Sequence, residues 1–154
     1  MPRILIVGIG NPTRSDDGVG LHVARELAKE NLPSDVQIVA TPQLTPEIAE
    51  RVSKVDKVVF IDAARSGEPG SISWREITPE AAGRNDRDAG NTLGHKWTPV
   101  AVMKLANELY GICPQAYLLT ISGETFEIGD TMSRAVASAV PAALIEIKKF
   151  IADS

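Results

Sequence analysis

The chain has 154 residues, of which 44% are hydrophobic and 23% are charged. These fractions are typical of a folded globular protein, and the length suits one hydrophobic core, so we expect residues 1–154 to form a single domain. The 16 Lys and Arg against 20 Asp and Glu give a net charge of −4, and the basic residues are scattered. This charge pattern argues against nucleic acid as a partner.

Cys113 is the only cysteine of the sequence. A lone cysteine forms no intrachain disulfide and no site made of several thiolates, which fits a reducing cytoplasm. Because Cys113 precedes Pro114 at the entrance to an apolar segment, we expect it to be buried and structural. The first apolar run, residues 4–7, is too short for a signal peptide or a membrane span, so no membrane association is expected.

The first half of the chain alternates between apolar segments and helical patterns. Residues 3–8, 36–40 and 57–62 are predicted strands. A helix beginning near Asp17 is predicted from an apolar stripe with a 3.6-residue period, formed by Val19, Val23, Ala24, Leu27 and Ala28. A second helix is predicted over 46–52, where Thr45 serves as the N-cap and Pro46 as the first helical residue. This βαβαβ order is typical of a parallel, doubly wound sheet.

The second half of the chain also contains predicted strands and helices, together with one long predicted loop. Residues 71–77 alternate like a half-exposed edge strand, and residues 80–97 have the turn chemistry of a long surface loop. Thr98 and Pro99 predict the start of a helix with an apolar face of Val102, Leu105, Ala106 and Leu109. A strand at 116–121 and a long helix at 131–152, which Pro141 should kink, complete the chain. We predict a three-layer α/β/α fold around a twisted, mostly parallel or mixed sheet of about five strands.

Reactive groups follow the predicted strands at one edge of the sheet. In an open α/β sheet the ligand crevice lies at the carboxyl ends of the strands. Asp17 follows the first strand, Asp62 ends the third, and His95 lies in the loop before the helix at 98. Two carboxylates and an imidazole suit a borderline divalent ion such as zinc or nickel, with a position left for water or substrate. Such a site can polarise a carbonyl and activate water.

Each of these residues also has an interpretation without chemistry. Asp16 and Asp17 together are a common helix start, Asp62 can be solvated or paired, and a loop residue such as His95 is often an ordinary exposed histidine. The combination of all three at one sheet edge favours a site. His22 is a poorer ligand candidate, because five helical positions place it about 140° around the axis from Asp17.

The glycines after the first strand invite a nucleotide-binding interpretation, but the spacing does not support it. Thr13 stands where the dinucleotide fingerprint needs a third glycine, no Gly-Lys-Ser/Thr sequence occurs, and Asp16 and Asp17 would repel a phosphate. The sequence also has neither the Gly-x-Ser-x-Gly of a nucleophile elbow nor the His-Glu-x-x-His of a zincin. A nucleotide-binding α/β protein is the weaker alternative.

Four sequence blocks, in order, resemble the hydrogenase maturation proteases, the endopeptidases that trim the C-terminus of nickel–iron hydrogenase large subunits. The blocks are Gly8-Ile9-Gly10-Asn11 with Asp16-Asp17-Gly18-Val19-Gly20, then Ile61-Asp62-Ala63, then Gly94-His95, and finally Ile121-Ser122-Gly123 with Glu127-Ile128-Gly129. The resemblance runs nearly end to end. It implies a twisted sheet between helices.

The same resemblance implies roles for particular residues. Asp17, Asp62 and His95 would contact the metal and carry catalysis, with Asp17 at a position where many members have Glu. Gln43, Gly10 and Asn11 are expected to border the substrate groove. Nickel would arrive within the precursor of the large subunit, the only implied partner, and we expect zinc or cadmium to occupy the same ligands in vitro.

The resemblance leaves the activation of the attacking water open. Either the metal polarises the scissile carbonyl or a carboxylate activates the water. The main alternative to a protease is a non-catalytic nickel-binding or docking factor that inspects the precursor without cutting it.

Overall fold

A computed structural model describes residues 3–78 and 97–154. These residues contain a five-stranded sheet with the order β2-β1-β3-β5-β4. The strands are β1 (Ile4–Ile9), β2 (Val36–Thr41), β3 (Lys57–Ala64), β4 (Ile72–Ile77) and β5 (Gln115–Ser122). Pairing is parallel everywhere except between β4 and β5, which are antiparallel. The predicted mixed sheet with 71–77 at its edge is therefore confirmed.

Helices cover both faces of the sheet. The described helices are α1 (Val19–Leu27), α2 (Glu47–Val52), α3 (Pro99–Tyr110) and α4 (Arg134–Ala152), and a short 3₁₀ helix, Ser15–Gly18, precedes α1. Ile4 and Ile6 of β1 pack with α1 and α4, whereas Leu5 and Val7 pack with α2 and α3. Because both faces of β1 are buried, its sequence is continuously apolar rather than alternating. The α/β/α layering agrees with the prediction.

The central helix α1 approaches the sheet very closely. A Cβ atom added at Gly20 would overlap the backbone carbonyl oxygens of Ile9 and Ile61, and one added at Gly8 would overlap that of Gly20. Only glycine at these two positions allows α1 to lie directly on β1 and β3. The 3₁₀ helix before α1 is thereby placed against the carboxyl ends of both strands.

Two predictions for the region around α3 are wrong. Leu109, which was predicted to lie on the apolar face of this helix, is 62% exposed. Met103, which was not part of the predicted face, is fully buried. Cys113 is exposed rather than buried. Gly111, with φ of 66°, ends α3 in the left-handed conformation, and the three residues before Pro114 remain on the surface. Burial begins only at Pro114, as β5 enters the sheet.

The remaining predicted elements agree with the structure to within about three residues, the usual uncertainty of helix and strand boundaries. The long helix begins at Arg134 rather than 131, because Ser133 is its N-cap and accepts a hydrogen bond from Val136 N–H. Most of the predicted 80–97 loop lies outside the described residues. Within residues 3–78 and 97–154, no helix has the length and apolarity needed to cross a membrane.

Candidate active site

The loops that follow β1, β2 and β3 enclose a cleft of about 410 Å³. β1 lies between β2 and β3, so the chain turns to opposite sides of β1 at this point, which is where open α/β sheets bind ligands. The lining residues after the strand ends include both predicted carboxylates. The described residues that line the cleft are Ile9, Gly10, Asn11, Arg14, Asp17, Pro42, Gln43, Leu44, Asp62, Arg65 and Trp97.

Asp17 enters the cleft from the 3₁₀ helix. Its carboxylate is half-buried, and Oδ2 accepts a hydrogen bond of 3.1 Å from the backbone N–H of Asn11. A Cβ at Gly10 would overlap the backbone oxygen of Asp17, so the glycine is required for the tight turn between them. Gly10 thus helps to position the carboxylate of Asp17.

Asp62 enters the same cleft from the carboxyl end of β3. It pairs in register with Thr120 of β5, and its half-buried carboxylate accepts a hydrogen bond of 2.8 Å from the N–H of Ala63 through Oδ1. The two aspartates are 45 positions apart in sequence and become neighbours of one cavity only because β1 and β3 are adjacent.

The three residues expected to border the substrate also line the cleft. Gly10 and Asn11 follow β1, and the exposed Gln43 follows β2. Asn11 Oδ1 accepts hydrogen bonds from the N–H and the hydroxyl of Thr13, which fixes the loop as an Asx turn. Among the described residues, no acceptor takes a hydrogen bond from the side-chain Nδ2 of Asn11.

The third predicted ligand, His95, lies outside the described residues. In the described part of the chain, no group of three or more His, Cys, Asp or Glu side chains is arranged to hold a metal ion. His22 lines a separate cleft of about 110 Å³ with Arg25 and Asp130. His22, the poorer ligand candidate, does not line the cleft of Asp17 and Asp62.

Asp16 has a structural role that the sequence interpretation missed. Its side chain is fully buried and accepts hydrogen bonds from the N–H groups of Glu124, Thr125 and Ser133 and from the Ser133 hydroxyl, at 2.7–3.1 Å. Burial, the largest single effect, raises the pKa of Asp16, but these hydrogen bonds together outweigh it and lower the pKa below its ordinary value. The carboxylate therefore ties the segment before α4 to the loop after β1.

Two arginines in the cleft were also missed. Arg14 lies three residues before Asp17, and Arg65 three residues after Asp62. Their proximity in sequence to the two aspartates was the only available signal. The described lining of the cleft thus presents two guanidinium groups beside two carboxylates.

The arrangement defines a class of protein: an α/β/α domain with two aspartates in a cleft at the carboxyl ends of its central strands. Its fold is that of the hydrogenase maturation proteases. It superposes on hydrogenase 2 maturation peptidase from Thaumarchaeota archaeon SCGC_AB-539-E09 with a TM-score of 0.71, at 22% identity over 97% of each chain.

Two further solved structures have similar scores. The [NiFe] hydrogenase maturation protease HycI from Thermococcus kodakarensis KOD1 gives a TM-score of 0.74, at 24% identity over 97% of this chain and 92% of its own. The hydrogenase maturating endopeptidase HybD from E. coli gives 0.74, at 20% identity over 98% and 93%. No protein-family model and no curated protein matches the sequence.

Proposed function

We propose that this chain is an endopeptidase of hydrogenase maturation, which removes a C-terminal extension from the nickel-loaded precursor of a nickel–iron hydrogenase large subunit in the cytoplasm. The observation that carries the proposal is the pair Asp17 and Asp62, delivered by different strands to one cleft. Support comes from the fold, shared with proteins named as hydrogenase maturation proteases over more than nine-tenths of each chain.

The side chains suit a nickel ion held by the substrate. Asp17 and Asp62 supply carboxylate oxygens, and His95 would supply an imidazole nitrogen, a mixed set that borderline divalent ions accept. The part of His95 in this set is a prediction from the sequence, because His95 lies outside the described residues. The same set would accept zinc or cadmium in vitro.

In the proposed reaction, the nickel in the precursor contacts the three ligands and thereby aligns the scissile peptide. Water adds to the peptide carbonyl carbon, the C–N bond breaks, and the leaving nitrogen takes up a proton. The site serves either route to activation, since the nickel can polarise the carbonyl or a carboxylate can accept the proton of water. Gln43, Gly10 and Asn11 offer amide and backbone groups to the bound peptide.

The proposal is tested by incubating the purified chain with purified precursor, nickel-loaded or nickel-free, and measuring intact mass. We expect loss of a C-terminal peptide from the nickel-loaded precursor alone. Cleavage of both forms would contradict recognition of nickel, and nickel-dependent binding without cleavage would favour a docking factor.

The nucleotide-binding alternative is tested by thermal unfolding with ATP or NAD. Both are expected to leave the melting temperature unchanged, whereas a ligand that binds the folded chain, at 100 times its Kd, stabilises it by about 2.7 kcal/mol.

A further inference from the structure

Arg14 and Arg65, two residues of the cleft lining, both contact one aromatic residue, Phe126. The guanidinium carbon of Arg65 lies 4.2 Å from the ring centroid of Phe126, and Nη1 of Arg14 donates a hydrogen bond of 3.4 Å to the Phe126 carbonyl. Both arginines are exposed and both line the cleft. We call Arg14, Arg65 and Phe126 the arginine rim.

The rim is fixed by the segment that carries Phe126. Asp16 anchors this segment through Glu124 and Thr125, and Ser15 anchors it through a hydroxyl bond of 2.7 Å to the Glu127 carbonyl. A Cβ at Gly123 would lie 2.5 Å from Phe126 Cζ, so glycine is needed there for the ring to take its position. The aromatic support of the arginines is therefore preorganised.

The positive charges of Arg14 and Arg65 are not neutralised by a carboxylate of the described residues. No carboxylate in residues 3–78 and 97–154 forms an ion pair with either guanidinium. Among the described residues that line the cleft, the formal charges of the two arginines and of Asp17 and Asp62 cancel, so a divalent ion at the aspartates would give this set of side chains a net positive charge. This local charge is opposite in sign to the net charge of −4 of the whole chain. A metal-loaded cleft of this kind attracts an anion to the rim.

We propose that the arginine rim is a specificity subsite that binds side-chain carboxylates of the substrate peptide while the aspartates face its metal. The inference rests on the proposed function. Carboxylates are the anionic groups of an unmodified peptide, and the planar guanidinium donates two parallel hydrogen bonds to a carboxylate. The stacking of Arg65 on Phe126 restricts the guanidinium before the substrate arrives, which reduces the entropy lost on binding.

The test measures KM and kcat for processing of the nickel-loaded precursor by Arg14→Gln, Arg65→Gln and Arg65→Lys. Arg75→Gln is the matched control, since Arg75 is exposed on β4 and does not line the cleft. A second precursor, whose Asp and Glu residues beyond the cut are replaced by Asn and Gln, removes the proposed ligand.

We expect each Gln variant to raise KM roughly three- to tenfold with kcat within twofold, and Arg65→Lys to recover only part of the loss. With the precursor that has Asn and Gln in place of Asp and Glu, wild type and variants should have similar KM values. Three results would each overturn the subsite and leave the proposed function intact. These are an unchanged KM in the Gln variants, an effect of the substitutions on kcat alone, and the same rise in KM for the precursor that has Asn and Gln in place of Asp and Glu. A wild-type chain that cuts no precursor overturns the proposed function and the subsite with it.

Discussion

Asp16 and Asp17 are neighbours in sequence with opposite environments. Asp17 is half-buried, faces the cleft and accepts one hydrogen bond from a backbone N–H, whereas Asp16 is fully buried and accepts bonds from three N–H groups and a hydroxyl. A buried carboxylate is stable only with such partners. Asp16 is thus a structural residue, whereas Asp17 is the one to which we assign a role in the reaction.

Asp16→Asn is expected to destabilise the fold by about 2–4 kcal/mol. The side-chain NH2 group of Asn is a donor, so it would face backbone N–H groups that remain buried and lose their acceptor. The control is Asp130→Asn, the same change at an exposed position of the same segment, which should cost at most about 0.5 kcal/mol. Urea unfolding at neutral pH measures both. Equal stability of the two variants would contradict the anchoring role.

The stabilisation by Asp16 should disappear in acid. Its folded pKa lies below the ordinary value of 3.8, so the stability it contributes is fully present above that value and is lost as pH falls through the lower folded pKa. The difference in unfolding free energy between wild type and Asp16→Asn should be constant from pH 7 to about pH 5 and shrink below the ordinary pKa. Effects of other carboxylates cancel in this difference. A difference that grows as the pH falls would contradict the lowered pKa of Asp16 in the folded state.

At the scale of elements, the local cap signal is right for one of two helices. The prediction of Thr45 as an N-cap is wrong, since the N-cap residue of α2 is Pro46 and no side chain caps this helix. The N-cap of α3 is confirmed, since Thr98 Oγ1 accepts a hydrogen bond of 3.1 Å from Ala101 N–H. Strand positions are also confirmed, because β1 and β3 are apolar on both faces. The exposure of Leu109 and Cys113 could not be predicted, since it depends on where neighbouring elements end and not on periodicity.

Gly20→Ala tests how closely α1 lies on the sheet. Alanine gains about 1 kcal/mol of helix propensity over glycine, but its Cβ would overlap two backbone carbonyls that cannot rotate away. Overpacking of this kind costs about 3 kcal/mol or more, so we expect a net loss of at least about 2 kcal/mol.

Gly111→Ala is the contrast to Gly20→Ala. Gly111 has φ of 66°, where alanine costs about 1 kcal/mol, but a Cβ there meets nothing within 4 Å. Thermal unfolding should rank Gly20→Ala as clearly the less stable variant. The reverse order would mean that α1 can shift away from β1 and β3.

At the scale of the whole molecule, the sheet order creates the cleft. Parallel pairing of β1 with β3 brings Asp17 and Asp62 to one edge, and this proximity follows from the rule for open α/β sheets. The sequence therefore predicted the location of the carboxylates. The role of His95 stays a prediction, because it lies outside the described residues.

The arginine rim could not be predicted from sequence. Phe126 is more than 60 positions from Arg65 and more than 100 from Arg14, and no periodic pattern links them. Their contact depends on the segment after β5 folding back onto the loop after β1, where Arg14 and Gly129 form a parallel bridge. Such a contact is a property of the tertiary structure alone.

The most direct test of the central claim is the intact mass of hydrogenase large subunits in a strain that lacks this gene. The strain is complemented with wild type, Asp62→Asn or Asp56→Asn. Asp56 is an exposed aspartate immediately before β3, and Asp62 is near the other end of the strand, so the pair compares one chemical change at the two ends of one strand.

The account predicts that wild type and Asp56→Asn restore the shortened large subunit, while the Asp62→Asn protein is folded and present but leaves the C-terminal extension attached. Full processing by Asp62→Asn would contradict the assignment of this carboxylate to the reaction. A large subunit of unchanged mass in the strain without the gene would contradict the proposed function itself.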